Sequence, residues 1–503
     1  MNLEPDPPDN GIVPDAVFPH GKLPPLRYRD LPEPVPLRRM IGPSIMLSGL
    51  ALGSGEFIFW PYITYETRFV FFWACLLGVT TQYFINMEIT RWSLATGESA
   101  ITGFARLSKH WAWIFLILNI VPWMVPAWAK GAAQMISWLF FEGPAGAGDP
   151  TPYVTELAIA GLFLCGIILT AGKVVYETVE RIQMILVSLV LILVVILAAF
   201  LVRGDAIAAQ LAGAVNFGEL PEFTDQITPA LLLGALAFAG VGGTLNLGQS
   251  NFVKDKGYGM GKYIGRITSP ITGQEEAVSE IGYHFPHTRE NLIRWRRWWR
   301  AASTEHFLTF FLTCMVCLVL LTLITYSMFY GVDGSRNEAT AAYEGNINFV
   351  WGEAKTIESV FGSFMKILFL VMGIFILFTT EFGVLDAATR ISTDVVKVNW
   401  LRDHPGWSES RLYYIFLWGT ILLGTAILLV GTEMFTAFVL FKFTAAMNGG
   451  VMFIYAALLL YINRWKLPGA IRMSWPRALI LTWAVLFFGF FALWTAWDIF
   501  FKS

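Results

Sequence analysis

Two glycine clusters in this chain stand where backbone chemistry is possible. The first is Gly53-Ser54-Gly55-Glu56, inside the apolar run LALGSGEFIFWP from Leu50 to Pro61. The second is Gly240-Val241-Gly242-Gly243, followed by the polar Thr244, Asn246, Gln249 and Ser250. Glycine allows a backbone to leave a helix. In lipid a freed N–H or C=O is tolerated only where it is buried in protein or lines a polar cavity. Freed carbonyls can coordinate cations, and half-helix N-termini can hold anionic groups. The expected substrate site therefore comprises Gly53, Ser54, Gly55, Glu56, Gly242, Gly243, Thr244, Asn246 and Gln249.

Ionisable side chains within apolar runs are functional candidates by default, because their burial is costly. Glu56 leads, since it adjoins the first cluster, and it is also the single candidate metal ligand. Lys130, Glu381 and Asp386 join it as candidates for carrying a coupling proton or charge. Lys130 and Lys442 are candidate ion-pair partners for Glu56. Glu381 and Asp386 are separated by about 500° of helix turn, so they do not share a face. One is expected to line the cavity and the other to pair with Arg390. Glu88 and Arg91 are spaced for a local structural pair, and Gln82 and Asn86 for presenting two amides to one side. A blander alternative holds for each feature. Glycines also serve as packing notches, and lysines snorkel to the interface.

The elements that must position these residues follow from composition. Of 503 residues, 55% are hydrophobic and 14% charged, against about 25% charged in soluble domains. The apolar excess falls in blocks of about 20 residues, enough to cross a bilayer as helix. About eleven spans are predicted, near 41–64, 69–92, 111–141, 155–172, 182–202, 229–254, 305–330, 360–389, 411–431, 433–462 and 475–501. Pro122 and Pro126 should kink the third. Residues 1–40 are proline-rich and acidic, have no signal-peptide core, and are expected to form a disordered tail. Residues 255–304 form the longest loop. Its RENLIRWRRWWRAASTEHF is read as an amphipathic segment on anionic headgroups rather than a nucleic-acid site.

Arginine and lysine concentrate in the loops on the side of Arg27, Arg106, Lys173 and Arg402. The opposite loops carry little beyond Arg68, Arg203, Arg336 and Lys355. The positive-inside rule then puts the tail in the cytoplasm and the C-terminus outside, in a bacterial inner or plasma membrane. The two clusters fall in spans one and six, which run in opposite directions. Corresponding interrupted helices in two oppositely oriented halves point to an inverted-repeat secondary transporter. Spans one to five (41–202) and six to ten (229–462) would be the halves, with 475–501 an extra helix. The four cysteines, including Cys314 and Cys317, are read as apolar fillers. The net charge of −2 argues against nucleic acid. No nucleophile elbow, Walker motif or spaced metal cluster stands in a suitable context, so neither an enzyme nor a cofactor is expected.

Over about 41–465 the chain resembles the natural-resistance-associated macrophage protein (Nramp) family of divalent metal transporters. Those have a leucine-transporter-like (LeuT-like) all-α fold of two five-helix inverted repeats with broken helices 1 and 6. The resemblance lies in IGPSIMLSGLALGSGE, TTQYFINMEITRWSLATGESAI, YETVERIQMILV, LDAATRISTDVV and MNGGVMFIYAALLLYIN, in that order. It implies a membrane symporter that moves a divalent cation by alternating access, with protons as partners. The departures sit at the site. The family's Asp-Pro-Gly-Asn is Gly53-Ser54-Gly55-Glu56 here. The sixth-helix methionine and histidine are missing from Gly243 to Gln249, and Trp128 and Lys130 stand near the place of the family's acidic pair. Without a thioether, a bound cation should be harder than usual, such as Mn²⁺ or Mg²⁺. The alternative is an amino-acid or other small organic solute, because Gly-Ser-Gly also resembles the amino acid–polyamine–organocation transporters. A second alternative is a receptor or sensor on the same scaffold.

Overall fold

The computed structural model describes residues 11–36, 40–144, 151–269, 281–337, 347–404, 406–431 and 436–501. Arg38 and Arg39 of the tail lie outside them. Span one enters at Pro43, whose missing N–H suits a first helical turn. It is α1 (Pro43–Ala51), then an eight-residue π-helix (Leu52–Phe59), then α2 (Trp60–Thr67). The first glycine cluster thus lies in a widened helix, and the chain remains helical through it. Span two is α3 (Phe72–Thr96), stopped by Gly97 in the left-handed region. After α4 (Ala100–Leu107), span three divides into α5 (His110–Trp123) and α6 (Ala127–Phe140) at Pro126. The proline signal therefore gives a break between two helices.

Next come α7 (Val154–Ala171), α8 (Val175–Leu201) and the short α9 (Gly204–Val215). Span six is fully interrupted. Its first half, α10 (Pro229–Ala237), is capped by the Thr228 hydroxyl. A 3₁₀ turn over Gly243–Leu247 then leads to α11 (Gly248–Asp255). Next, α12 (Arg289–His306) runs through a π-turn (Phe307–Phe311) into α13 (Leu312–Phe329) without leaving helix. The chain ends with α14 (Phe349–Phe361), α15 (Ser363–Asn399), α16 (Glu409–Val430), α17 (Ala437–Tyr461) and α18 (Trp475–Phe501). Among the described residues, eight helical segments are long and apolar enough to cross a membrane. Expected spans one, two and six are the helical segments Pro43–Thr67, Phe72–Thr96 and Pro229–Asp255.

The helix α15, 37 residues long, spans about 56 Å at 1.5 Å per residue. That exceeds a hydrocarbon core of about 30 Å, so it must tilt or project. It packs on α5, α6, α8, α14, α16 and span one, and forms the spine of the molecule.

The tail departs from its expectation of disorder. Its residues from Gly11 to Pro36 lie across the loop before α12. β1 (Arg27–Tyr28) pairs in parallel with β2 (Tyr283–His284). Val13, Phe18, Leu26 and Leu31 are fully buried. Trp298 Nε1 donates to the Pro32 carbonyl at 2.7 Å, and Asn291 donates to Asp30 at 3.0 Å. These four apolar residues give the strap enough buried surface to hold a proline-rich segment whose composition alone favours disorder. The basic face of α12 is exposed at Arg296, Arg297 and Arg300, as an amphipathic segment requires.

Candidate functional site

The glycines of span one are contact surfaces. A Cβ on Gly55 would sit 1.3 Å from the Phe238 carbonyl oxygen, and one on Gly53 would sit 2.4 Å from Thr380 Oγ1. The π-helix therefore rests its bare backbone on the end of α10 and on α15. The Ser54 side chain lies outside the described residues. In span six, Gly242 and Gly243 have φ of +75° and +58°, a region open to glycine at little cost. The spacing of the two clusters was legible in the sequence; the contact of the first with the end of α10 was not.

The broken ends of span six are already satisfied. Gln82 of α3 donates from Nε2 to the carbonyls of Ala237 (2.7 Å) and Ala239 (3.0 Å). Its Oε1 accepts from the Gly242 N–H (3.3 Å) and from Asn246 Nδ2 (3.2 Å). One amide thus closes both halves. The carbonyls of Ala237 and Ala239, freed by the break and expected to coordinate a cation, accept from a protein donor instead. Asn246 also donates to Tyr455 at 2.9 Å. The Thr244 hydroxyl accepts from Trp123 Nε1 (2.8 Å) and donates to Asn119 Oδ1 (2.9 Å).

Aromatic rings crowd the same break. Trp123, Trp128 and Phe238 form a triangle with ring centroids 5.6, 6.1 and 6.3 Å apart. Phe441 stands edge-on to Trp128 at 5.4 Å, and Phe59 stacks on Phe238 at 5.8 Å. Buried polar atoms without hydrogen-bond partners flank these rings: Trp128 Nε1 offers a proton, and Asn246 Oδ1 and Asn448 Oδ1 offer lone pairs. Asn448 lies directly against Gly243.

The ionisable candidates scatter instead of converging. Glu56 is fully buried, and neither of its oxygens has a hydrogen-bond partner. Its titratable neighbours are the thiols of Cys75, Cys314 and Cys317, with Cys314 in weak contact. Glu56 therefore points toward α3 and α13. Neither expected lysine is its ion-pair partner: Lys442 lies over the Phe438 ring at 4.6 Å and beside Glu66, and Lys130 is half-buried on α6. Glu381 accepts from the Ala129 N–H at 3.1 Å. Asp386 accepts from Arg390 Nε and from the Tyr413 hydroxyl at 2.7 Å. Arg390 also grips Asp255 at the end of α11, which ties the second half of span six to α15. Glu88 pairs with Arg91 at 2.6 Å, as the spacing suggested, and Arg477 of α18 joins them. Among the described residues no group of three His, Cys, Asp or Glu could hold a metal ion.

The sequence reading missed Glu305 and His306. They close a basic, amphipathic segment that reads as surface, yet both are buried. Glu305 accepts the N–H groups of Gly42 and Ser44 at 3.3 and 3.1 Å, and so caps α1 from outside. The available signal was the uninterrupted helical run from Arg289 into the apolar block after it.

No protein-family model and no curated protein matches the chain. Solved structures do match in fold. A variant of the Eremococcus coleocola manganese transporter aligns with a TM-score of 0.63 at 11% identity, over 94% of this chain and 92% of that one. The same transporter in complex with an aromatic bis-isothiourea substituted compound gives 0.64 at 11% identity, over 92% and 89%. MhsT in complex with L-phenylalanine gives 0.56 at 14% identity, over 90% and 98%. The chain is thus a predominantly helical, multi-pass membrane protein of the LeuT-like fold.

Proposed function

We propose that this protein is a secondary active transporter that works by alternating access around spans one and six, and that it carries a small organic solute. The observation that carries the substrate class is the lining of the break. Aromatic rings with flanking unpartnered amide and indole groups suit a solute with an apolar body and a few polar atoms. A desolvated divalent cation needs several oxygen ligands. Here the Ala237 and Ala239 carbonyls are held by Gln82, and the one carboxylate of the first cluster faces thiols. The manganese-transporter likeness supports the metal reading as the second choice, since a shared fold alone does not fix the substrate.

The halves are proposed to be spans one to five and six to ten, with the strapped face cytoplasmic by the positive-inside rule. Glu56 is proposed to carry a coupling proton, because it is the buried carboxyl of the first cluster and neither of its oxygens has a hydrogen-bond partner. Trp123 and Trp128 provide the test. Their fluorescence in the purified protein should respond saturably to one or more members of a panel of amino acids and small amines, and should ignore Mn²⁺ and Mg²⁺. A saturable response to Mn²⁺ with none to the organic panel overturns the solute reading.

A further inference from the structure

Where α12 passes into α13, four side chains from three elements meet at the N-terminus of α1. The Ser44 hydroxyl donates to Glu305 Oε2. Its two lone pairs are used as well: His306 Nδ1 lies 2.8 Å away and Gln249 Nε2 donates at 3.3 Å. An oxygen that already donates to a carboxylate must accept from the imidazole, so His306 carries its proton on Nδ1. Its Nε2 is then a bare lone pair, buried and without a partner, as is Gln249 Oε1. The imidazole is sandwiched by Tyr83 at 5.4 Å and Phe310 at 4.7 Å. The result is a directional hydrogen-bond chain, from Nε2 through Nδ1–H and the Ser44 hydroxyl to Glu305.

We propose that His306, Ser44 and Glu305 form a proton-binding relay that controls the first half of span one. A proton binds His306 Nε2. The Nδ1 proton passes to Ser44 Oγ, and the Ser44 proton passes to Glu305 Oε2. Glu305 ends neutral, and His306 ends as the Nε2–H tautomer. One proton is taken up, and no heavy-atom bond changes. The ionised carboxylate caps the N–H groups of Gly42 and Ser44 and faces the positive end of the α1 dipole. Neutralising it removes that attraction, so α1 is freed at its first turn, at the face covered by the strap.

The surroundings favour transfer over storage on the imidazole. Among the described residues, the titratable and charged groups around the relay are Tyr83 on His306, Tyr176 and Glu180 beside Gly42, Lys256 on Glu180, Tyr258 on the Met40 carbonyl, and Arg477. Arg477 is the cation acting on His306 and repels a second positive charge there. Arg477 itself is held by Glu88, and Glu180 by Lys256. The Tyr176 hydroxyl lies beside Gly42 and Tyr258 donates to the Met40 carbonyl, so α8 and the turn after α11 both reach the chain that Glu305 caps. The sequence placed coupling on Glu56, Glu381 and Asp386; this site is separate from all three.

The proposal deepens the transporter reading, and its test needs no solute. Infrared difference spectra of the full-length protein after a pH jump from about 8 to about 5 should show a protonated-carboxyl C=O band. Glu305→Gln should remove one component of that band, distinct from the component that Glu353 contributes and that Glu353→Gln removes. His306→Gln and Ser44→Ala should keep the amplitude of the Glu305 component and slow its formation at least about tenfold, as expected when a positioned proton-transfer group is removed. Amide exchange of Pro43–Ala51 should rise with the band in wild type and be high at both pH values in Glu305→Gln. A band untouched by Glu305→Gln overturns the proposal. So does equal speed in the His306 and Ser44 variants, or α1 exchange that ignores the band. Failure to move any solute would refute the transporter reading and leave these spectra unaffected.

Discussion

Gln82 shows how much a single side chain contributes here. It bonds to both sides of the interruption in span six. Replacing it with leucine keeps the bulk and strands two carbonyls and the Gly242 N–H in a buried setting, and leaves the Asn246 amide with Tyr455 alone. Each group left unpaired costs about 1–3 kcal/mol, so Gln82→Leu should lower the thermal midpoint of the detergent-solubilised protein by several degrees. An unchanged midpoint would mean that the break does not depend on this cap. The sequence suggested that Gln82 and Asn86 offer amides to one side. It could not show that Gln82 reaches residues about 155 positions away, because single-sequence patterns carry no long-range pairing.

Helix-scale organisation was largely legible. Apolar blocks of membrane-spanning length located the helical spans, and α7, α10 and α18 begin within a residue of the expected positions. Boundaries failed where amphipathic and apolar turns join without a break, as at the start of α12 and the end of α15. The tail was misread because its prolines outweighed Phe18, Leu26 and Leu31 in a composition argument. The glycine pair was found by its spacing, yet its use is contact as much as unwinding. That distinction is testable by paired substitutions. Gly55→Ala drives a methyl into the Phe238 backbone and should separate spans one and six, with loss of activity and a clear drop in stability. Gly450→Ala meets nothing within 4 Å in the helix α17 and should be neutral or gain about 0.5–1 kcal/mol. Equal behaviour of the two variants in thermal unfolding would contradict the close approach.

Across the whole molecule, protonation equilibria should set stability as a function of pH. Glu353, on the short helix α14 between two spans, is buried, and its carboxyl is pushed up to about 8, chiefly by desolvation. Hydrogen bonds from Thr325 oppose that shift in part. The folded value lies above the ordinary one of 4.5. Its contribution is therefore complete below about pH 4.5, and is lost progressively as pH rises through about 8. Glu353→Gln should flatten that part of the pH–stability curve, read as the thermal midpoint from pH to pH. A slope that survives the substitution would assign it elsewhere.

The substrate reading also belongs to this scale, since it requires the two halves to move about spans one and six. Its most direct measurement is uptake into proteoliposomes of the full-length protein, with amino acids and small amines offered beside Mn²⁺ and Mg²⁺. Saturable uptake of an organic solute that neither metal inhibits is expected, with its loss in Gly55→Ala. Saturable Mn²⁺ uptake, with no organic solute moved, would contradict it.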